Sequence, residues 1–145
     1  MSGPLVIASD HAGYELKERL KTVLQEMGVP FEDLGTYSTD PVSYPDFAHK
    51  VGRAVSEGRA ERGLLVCGSG QGMAMAANRH RGVRAALATD EDLARLSREH
   101  NDANVLALGG RVLAPEHAER ILKVWLETPF AGGRHAARVA SIEAE

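Results

Sequence analysis

The chain's only cysteine stands directly before a glycine-rich segment, in the order Cys67-Gly68-Ser69-Gly70-Gln71-Gly72. Glycine lets a backbone approach a ligand closely, and the start of a following helix presents unpaired N–H groups that attract anions. A thiolate is also favoured near the start of a helix. The segment therefore predicts an anion-binding loop, with Cys67 at its edge as a base or a nucleophile.

Short apolar runs alternate with helical patterns on both sides of this loop. The runs lie at residues 5–8, 30–34, 64–66, 83–88 and 105–108. Strands separated by helices predict a parallel sheet with helices on both faces. We expect residues 1–145 to form one domain, a three-layer α/β/α Rossmann-like fold with a five-stranded parallel sheet and a polar C-terminal helix after Gly132-Gly133.

Four residues indicate where helices begin or end. Gly28 suits the position just after a helix, and Pro115 suits the first turn of the helix that follows it. Asp46 can cap the helix that carries Phe47, and Asp90 marks the start of another.

The composition excludes several classes of protein. The net charge of −3 over 145 residues gives no bulk affinity for nucleic acid. No apolar run approaches the roughly 20 residues that cross a membrane, and the run near the start is too short for a signal peptide. A single cysteine allows no internal disulfide, and the scattered histidines form no metal-ligand pattern. We expect a soluble, cytoplasmic protein without a metal or other cofactor.

Ligands of such sheets bind at the carboxyl ends of the strands. Polar residues follow several predicted strands or lie in the loops beside them: Asp10, His11, Tyr44, Cys67, Ser69, His100, Asn101 and Arg111. Arg134 and Arg138 are four residues apart, so they share a helix face and could bind a phosphate together. Structural interpretations stay open: Asp10 as a helix cap, Ser69 as a partner of a loop amide, and the arginines as a solvated surface.

Five blocks of the sequence together resemble the ribose/galactose isomerase family, which contains the type B ribose-5-phosphate isomerases. They are Ala8-Ser9-Asp10-His11-Ala12-Gly13, Tyr44-Pro45-Asp46, the segment from Cys67 to Gly72, the segment from Ser97 to Leu106, and Gly132-Gly133-Arg134-His135-Ala136-Ala137-Arg138-Val139. The resemblance covers nearly the whole chain. It implies a metal-free aldose–ketose isomerase that acts on a phosphorylated sugar through an enediolate.

The resemblance also implies a role for individual residues. Cys67 is then the base that moves a proton between C1 and C2, and His100 is the acid and base that opens the sugar ring. The backbone of Gly68, Ser69, Gly70, Gln71 and Gly72 holds the oxyanion, and Ser69 helps to move a proton between O1 and O2. Asp10, Tyr44 and Asn101 bind sugar hydroxyls, and His11, Arg111, Arg134 and Arg138 bind the phosphate.

Two further implications concern the base and the assembly. One branch of the family uses a glutamate just after the last loop glycine, but this chain has Met73 there, so Cys67 must be the base. Family members are dimers or tetramers with sites shared across the dimer. His100 and Asn101 are therefore expected to serve the neighbouring subunit's cysteine.

Three other interpretations remain. A hexose 6-phosphate, allose or galactose, could replace the pentose phosphate as substrate. A dinucleotide-binding module would use the same strand, loop and helix, although the glycine spacing is GxGxG rather than GxGxxG. A cysteine hydrolase would use Cys67 as nucleophile and His100 as base, through a covalent acyl-enzyme.

Overall fold

The computed structural model describes residues 4–144. Strands and helices alternate along the chain until the last two helices, which follow each other. In chain order they are β1 (Leu5–Ser9), α1 (Tyr14–Glu26), β2 (Phe31–Asp33), α2 (Tyr44–Ser56), β3 (Gly63–Cys67), α3 (Gln71–Ala77), β4 (Ala85–Leu87), α4 (Glu91–Glu99), β5 (Val105–Gly109), α5 (Pro115–Glu127) and α6 (Arg134–Ser141).

The strands form one parallel sheet, as predicted, in the order β2-β1-β3-β5-β4. The last strand is thus inserted between β3 and β4. Ser9 lies beside Val66, and Cys67 lies beside Gly109. The carboxyl ends of β1, β3 and β5 therefore meet at one edge of the sheet, where the sequence placed the candidate site.

Helices cover both faces of the sheet, and each face has its own apolar core. Leu64 and Val66 of β3 point towards α1, α4 and α5, whereas Leu65 and Cys67 point towards α2 and α3. The strands β1, β3 and β5 are buried along their whole length. This burial explains why the central strands read as continuous apolar runs rather than as alternating ones.

The helix ends agree with most of the sequence predictions and correct one. Gly28 has a φ of +70°, and Pro115 begins α5. Asp90 caps α4, because its side chain accepts a 2.7 Å hydrogen bond from Leu93 N. Asp46 does not cap α2: the helix begins at Tyr44 after Ser43. Pro45 explains the difference, since its fixed φ suits a first turn in which no backbone N–H is needed.

Two further features concern the edges of the molecule. Strand β4 is shorter than the predicted run of 83–88 and spans Ala85–Leu87. The helix α6 has no buried residue, and most of its side chains are exposed in the single chain. Within residues 4–144, no helix is both long enough and apolar enough to cross a membrane.

Candidate active site

A cavity of about 610 Å³ opens at the carboxyl ends of β1, β3 and β5. Its lining residues are Asp10, His11, Ala12, Tyr44, Cys67, Gly68, Ser69, Gly72, Arg111 and Val112. The volume falls within the range of small-molecule sites. The structure therefore brings together eight of the residues that the sequence singled out, from four separate segments of the chain.

Cys67 ends β3 at the floor of this cavity and is 6% exposed. Gly70 N lies 3.2 Å from Cys67 Sγ and donates to it. A donor aimed at the sulfur stabilises negative charge there. The loop can point this amide at the sulfur because Gly70 adopts a φ of +82°, which other residues rarely do.

The amide of Gln71 also has a partner within the loop. Gln71 N donates to Ser69 Oγ at 3.3 Å, so Ser69 does satisfy a loop amide. The first amide that bonds within α3 is that of Ala74, which donates to Gly70 O. The amides of Gly72 and Met73 come before Ala74 and therefore lie in the first turn of α3, next to the loop. Neither Gly70 nor Gln71 is among the residues lining the cavity.

Asp10 and His11 follow β1 and are held by the backbone of two different loops. Asp10 Oδ1 accepts a 3.0 Å bond from Gly13 N, ahead of α1, so the carboxylate stabilises this turn as well as lining the cavity. His11 Nδ1 accepts a 3.1 Å bond from Val42 N. Because Nδ1 accepts, a neutral His11 carries its proton on Nε2, which leaves Nε2–H as a donor.

Tyr44 and Arg111 form the outer part of the cavity. The Tyr44 ring packs over Gly72 so closely that a Cβ there would lie 2.4 Å from Tyr44 Cε1. Arg111 N donates to Gly68 O at 2.9 Å, which ties the end of β5 to the glycine loop. The cavity thus has a guanidinium at one side and a phenol at another, suited to an anion and to hydroxyl groups.

Three further candidates, His100, Asn101 and Arg138, line a second cavity of about 300 Å³ at the end of α4. Its lining residues are His100, Asn101, His135, Arg138, Val139 and Ile142. None of these lines the first cavity, so one chain does not bring His100 and Cys67 into a single cavity. Arg134 lies on α6 as predicted and is exposed, but it lines neither cavity.

His135 is a member of this second group that the sequence interpretation did not single out. Its ring stacks on His100, with centroids 4.3 Å apart and planes 17° from parallel. Burial lowers the pKa of His135, and the nearby His100, Arg134 and Arg138 lower it further. Its place one residue after Arg134, within a block that the family shares, was the available signal.

Comparison with known proteins identifies the family to which the chain belongs. The model of the Ribose/Galactose Isomerase family matches residues 5–142. This chain belongs to the ribose/galactose isomerase family. In this chain Met73, the residue just after the last loop glycine, is fully buried in the same apolar core as Cys67.

Individual relatives match over nearly the whole chain. Ribose-5-phosphate isomerase B of Escherichia coli (strain K12) is 42% identical over 140 residues, which cover 97% of this chain and 94% of the relative. The crystal structure of a ribose 5-phosphate isomerase from Thermotoga maritima is 49% identical, with a TM-score of 0.94 and 98% coverage of both chains. The structure of ribose-5-phosphate isomerase B from Clostridium thermocellum is 47% identical, with a TM-score of 0.95. The match covers 97% of this chain and 95% of that chain. The α/β fold is thus the fold of these isomerase structures.

Proposed function

We propose that this protein is an aldose–ketose isomerase that interconverts ribose 5-phosphate and ribulose 5-phosphate through an enediolate. The observation that carries the proposal is the Cys67 thiol on the floor of a glycine-loop cavity, with Gly70 N directed at the sulfur. Relatives that match 97% or more of the chain carry the name of this activity. The match to residues 5–142 supports one catalytic domain.

The proton transfers account for both carbons and both oxygens. The Cys67 thiolate takes the proton from C2 of the open-chain aldose, and the electrons of that bond form the enediolate. The Cys67 thiol then gives a proton to C1, while a proton moves from O2 to O1. Ser69 Oγ lines the cavity and suits the oxygen transfer, since a hydroxyl both donates and accepts.

The negative charge that develops on the oxygens needs fixed donors. Backbone amides of the segment 68–72 supply them in the proposed site, with those of Gly70 and Gln71 engaged by Cys67 Sγ and Ser69 Oγ in the free protein. Gly68, Ser69 and Gly72 line the cavity, and amides that the loop holds in fixed positions need little reorganisation during the reaction. Asp10, Tyr44 and Asn101 are proposed to bind the sugar hydroxyls.

Ring opening requires an acid and base near the ring oxygen, and we assign it to His100. His100 lines a different cavity from Cys67 within one chain. We therefore propose a dimer, or a tetramer made of two dimers, in which His100 and Asn101 of one subunit complete the Cys67 site of its neighbour. The open surface of α6 supports such an assembly.

The phosphate is proposed to lie between cationic groups and the His11 Nε2–H donor. Arg111 lines the Cys67 cavity and Arg138 lines the His100 cavity, so each subunit would contribute to the same phosphate. Arg134 precedes Arg138 by one helical turn on α6 and joins it in this proposal. We also propose a cytoplasmic location, because a catalytic thiol has to stay reduced.

A hexose 6-phosphate is the second candidate substrate, since the family includes galactose as well as ribose isomerases. The test measures kcat/KM with ribose, allose and galactose phosphates in the presence of a metal chelator. We expect ribose 5-phosphate to give the highest value. A higher value with a hexose phosphate would transfer the assignment to that sugar, and no turnover with any of them would overturn the proposal.

A further inference from the structure

The segment between α4 and β5 contains an unusual backbone conformation next to His100 and Asn101. Asp102 has a φ of +49° and is, among residues 4–144, the one residue other than glycine with a positive φ. This left-handed region is unfavourable for residues with a Cβ, although Asp and Asn tolerate it better than most. A residue held there needs surrounding contacts that fix it.

Arg98 supplies the first set of contacts from the last turn of α4. Its Nη1 donates to Asp102 Oδ1 at 3.0 Å and to Ala103 O at 2.6 Å, and its Nε donates to Thr128 O at 3.0 Å. The Arg98 side chain is 12% exposed, so little water competes for these bonds. One guanidinium therefore joins the segment after His100 to the end of α5.

Arg84 supplies the second set from the residue before β4. Its Nε donates to Asp102 O at 2.8 Å, and its Nη2 lies 3.4 Å from Asp102 Oδ2. Asp102 N donates to Arg98 O at 3.3 Å. Both carboxylate oxygens and both backbone polar groups of Asp102 thus have partners within the protein, which distinguishes Asp102 from a ligand of the substrate.

This arrangement sets the direction in which the chain leaves α4. His100 N still bonds to Leu96 O, so His100 belongs to the end of the helix, and the turn comes immediately after Asn101. We propose that Asp102, held between Arg84 and Arg98, is a positioning residue that orients His100 and Asn101 for opening of the sugar ring. The inference rests on the proposed function.

Measuring two reactions distinguishes an effect on ring opening from an effect on proton transfer at carbon. Ribose 5-phosphate is mainly cyclic and must be opened before it isomerises. Ribulose 5-phosphate has its phosphate on O5 and cannot form a five-membered ring, so exchange of its C1 hydrogen with deuterated water requires only enediolate formation. The exchange at saturating ribulose 5-phosphate is followed by NMR, beside kcat for ribose 5-phosphate.

Asp102→Gly removes the carboxylate and keeps a residue that adopts a positive φ freely. We expect its kcat for ribose 5-phosphate to fall about tenfold or more, as displacement of a catalytic group does, while exchange stays within about threefold of the wild type. Asp102→Asn keeps one acceptor oxygen and the tolerance of positive φ, so its loss should be smaller. Asp92→Asn, at an exposed acid of the same helix, is the matched control and should change neither reaction.

The outcomes distinguish this inference from the function on which it rests. If the wild type catalyses both reactions and Asp102→Gly slows both equally or neither, Asp102 does not position the ring-opening group. If the wild type catalyses neither reaction, the proposed function fails and the inference fails with it. His100→Ala should show the same selective loss as Asp102→Gly, and equal losses in its two reactions would also contradict the inference.

Discussion

Asp10, His11 and Cys67 follow or end β1 and β3 and line the cavity, and each accepts a hydrogen bond from a backbone amide. Asp10 holds the turn before α1, and His11 holds the loop at Val42. Cys67 instead receives its hydrogen bond from Gly70, within its own loop. The sulfur therefore lies beside the glycine loop that is proposed to hold the substrate, which suits the proposed base.

The proposed phosphate ligands predict a specific kinetic effect at the residue scale. Arg138→Ala or Arg134→Ala should raise KM about tenfold or more and change kcat little, because the phosphate is remote from C1 and C2 and is bound equally in ground and transition states. Steady-state kinetics with ribose 5-phosphate measure this. Arg120→Ala is the control, because Arg120 is an exposed arginine on α5 that pairs with Glu91. A fall in kcat at constant KM would contradict a role in phosphate binding.

The elements that carry the site were largely predictable from local signals. Apolar runs indicated the central strands, and the glycines after Cys67 indicated a turn that Gly70 realises with its positive φ. The strand order was not predictable in this way, because the insertion of β5 between β3 and β4 depends on pairing between distant segments. The stacking of His135 on His100 likewise joins two segments whose patterns are independent in the sequence.

Gly70 provides a stability prediction at the scale of the loop. Its φ is +82°, and a Cβ would lie 2.6 Å from Leu87 Cδ1 and 3.0 Å from the backbone carbon of Leu108. Gly70→Ala should therefore lower the free energy of unfolding by about 3 kcal/mol through both strain and overpacking. Gly58→Ala is the matched control, with a φ of +76° but nothing within 4 Å of the added carbon, and should cost about 1 kcal/mol. Urea unfolding compares them, and equal losses would refute the packing argument.

The contact between α2 and the turn after α3 predicts a dependence of stability on pH. His49 Nδ1 and His80 Nε2 lie 2.7 Å apart, and burial, then His49 and Arg53, lower the pKa of His80. The unfolded chain therefore binds more protons than the folded one as pH falls below about 6.5, so the free energy of unfolding decreases there. His80→Asn should reduce this decrease in urea unfolding between pH 8 and pH 5. The pKa of His135 is lowered as well, so part of the decrease in stability should persist in His80→Asn. An unchanged slope would exclude a contribution from His80.

At the scale of the whole molecule, the two groups of candidate residues define what a single chain lacks. Cys67, the glycine loop and Arg111 line one cavity, whereas His100 and Arg138 line another. An isolated chain would then have a base for the carbon proton without the proposed ring-opening group. Association with a second copy resolves this if each copy supplies one group to each site.

Mixed dimers test whether the sites are shared. Cys67→Ala and His100→Ala should each have little activity with ribose 5-phosphate, but a dimer containing one chain of each kind has one site with both groups intact. Refolding equal amounts of the two variants together should restore about one quarter of the wild-type activity, since half of the dimers are mixed and each has one working site. Separately refolded variants, mixed only in the assay, are the control. No recovery after joint refolding would place both groups in the same chain.

The measurement that tests the account most directly is the reaction of the metal-free protein with ribose 5-phosphate in deuterated water, followed by NMR. The account predicts that the wild type forms ribulose 5-phosphate with deuterium entering at C1, because the proton on the Cys67 thiol exchanges with solvent before it returns. Cys67→Ala should form no ketose above the uncatalysed rate. Ketose formation by Cys67→Ala at the wild-type rate, or no ketose from the wild type, would contradict the account.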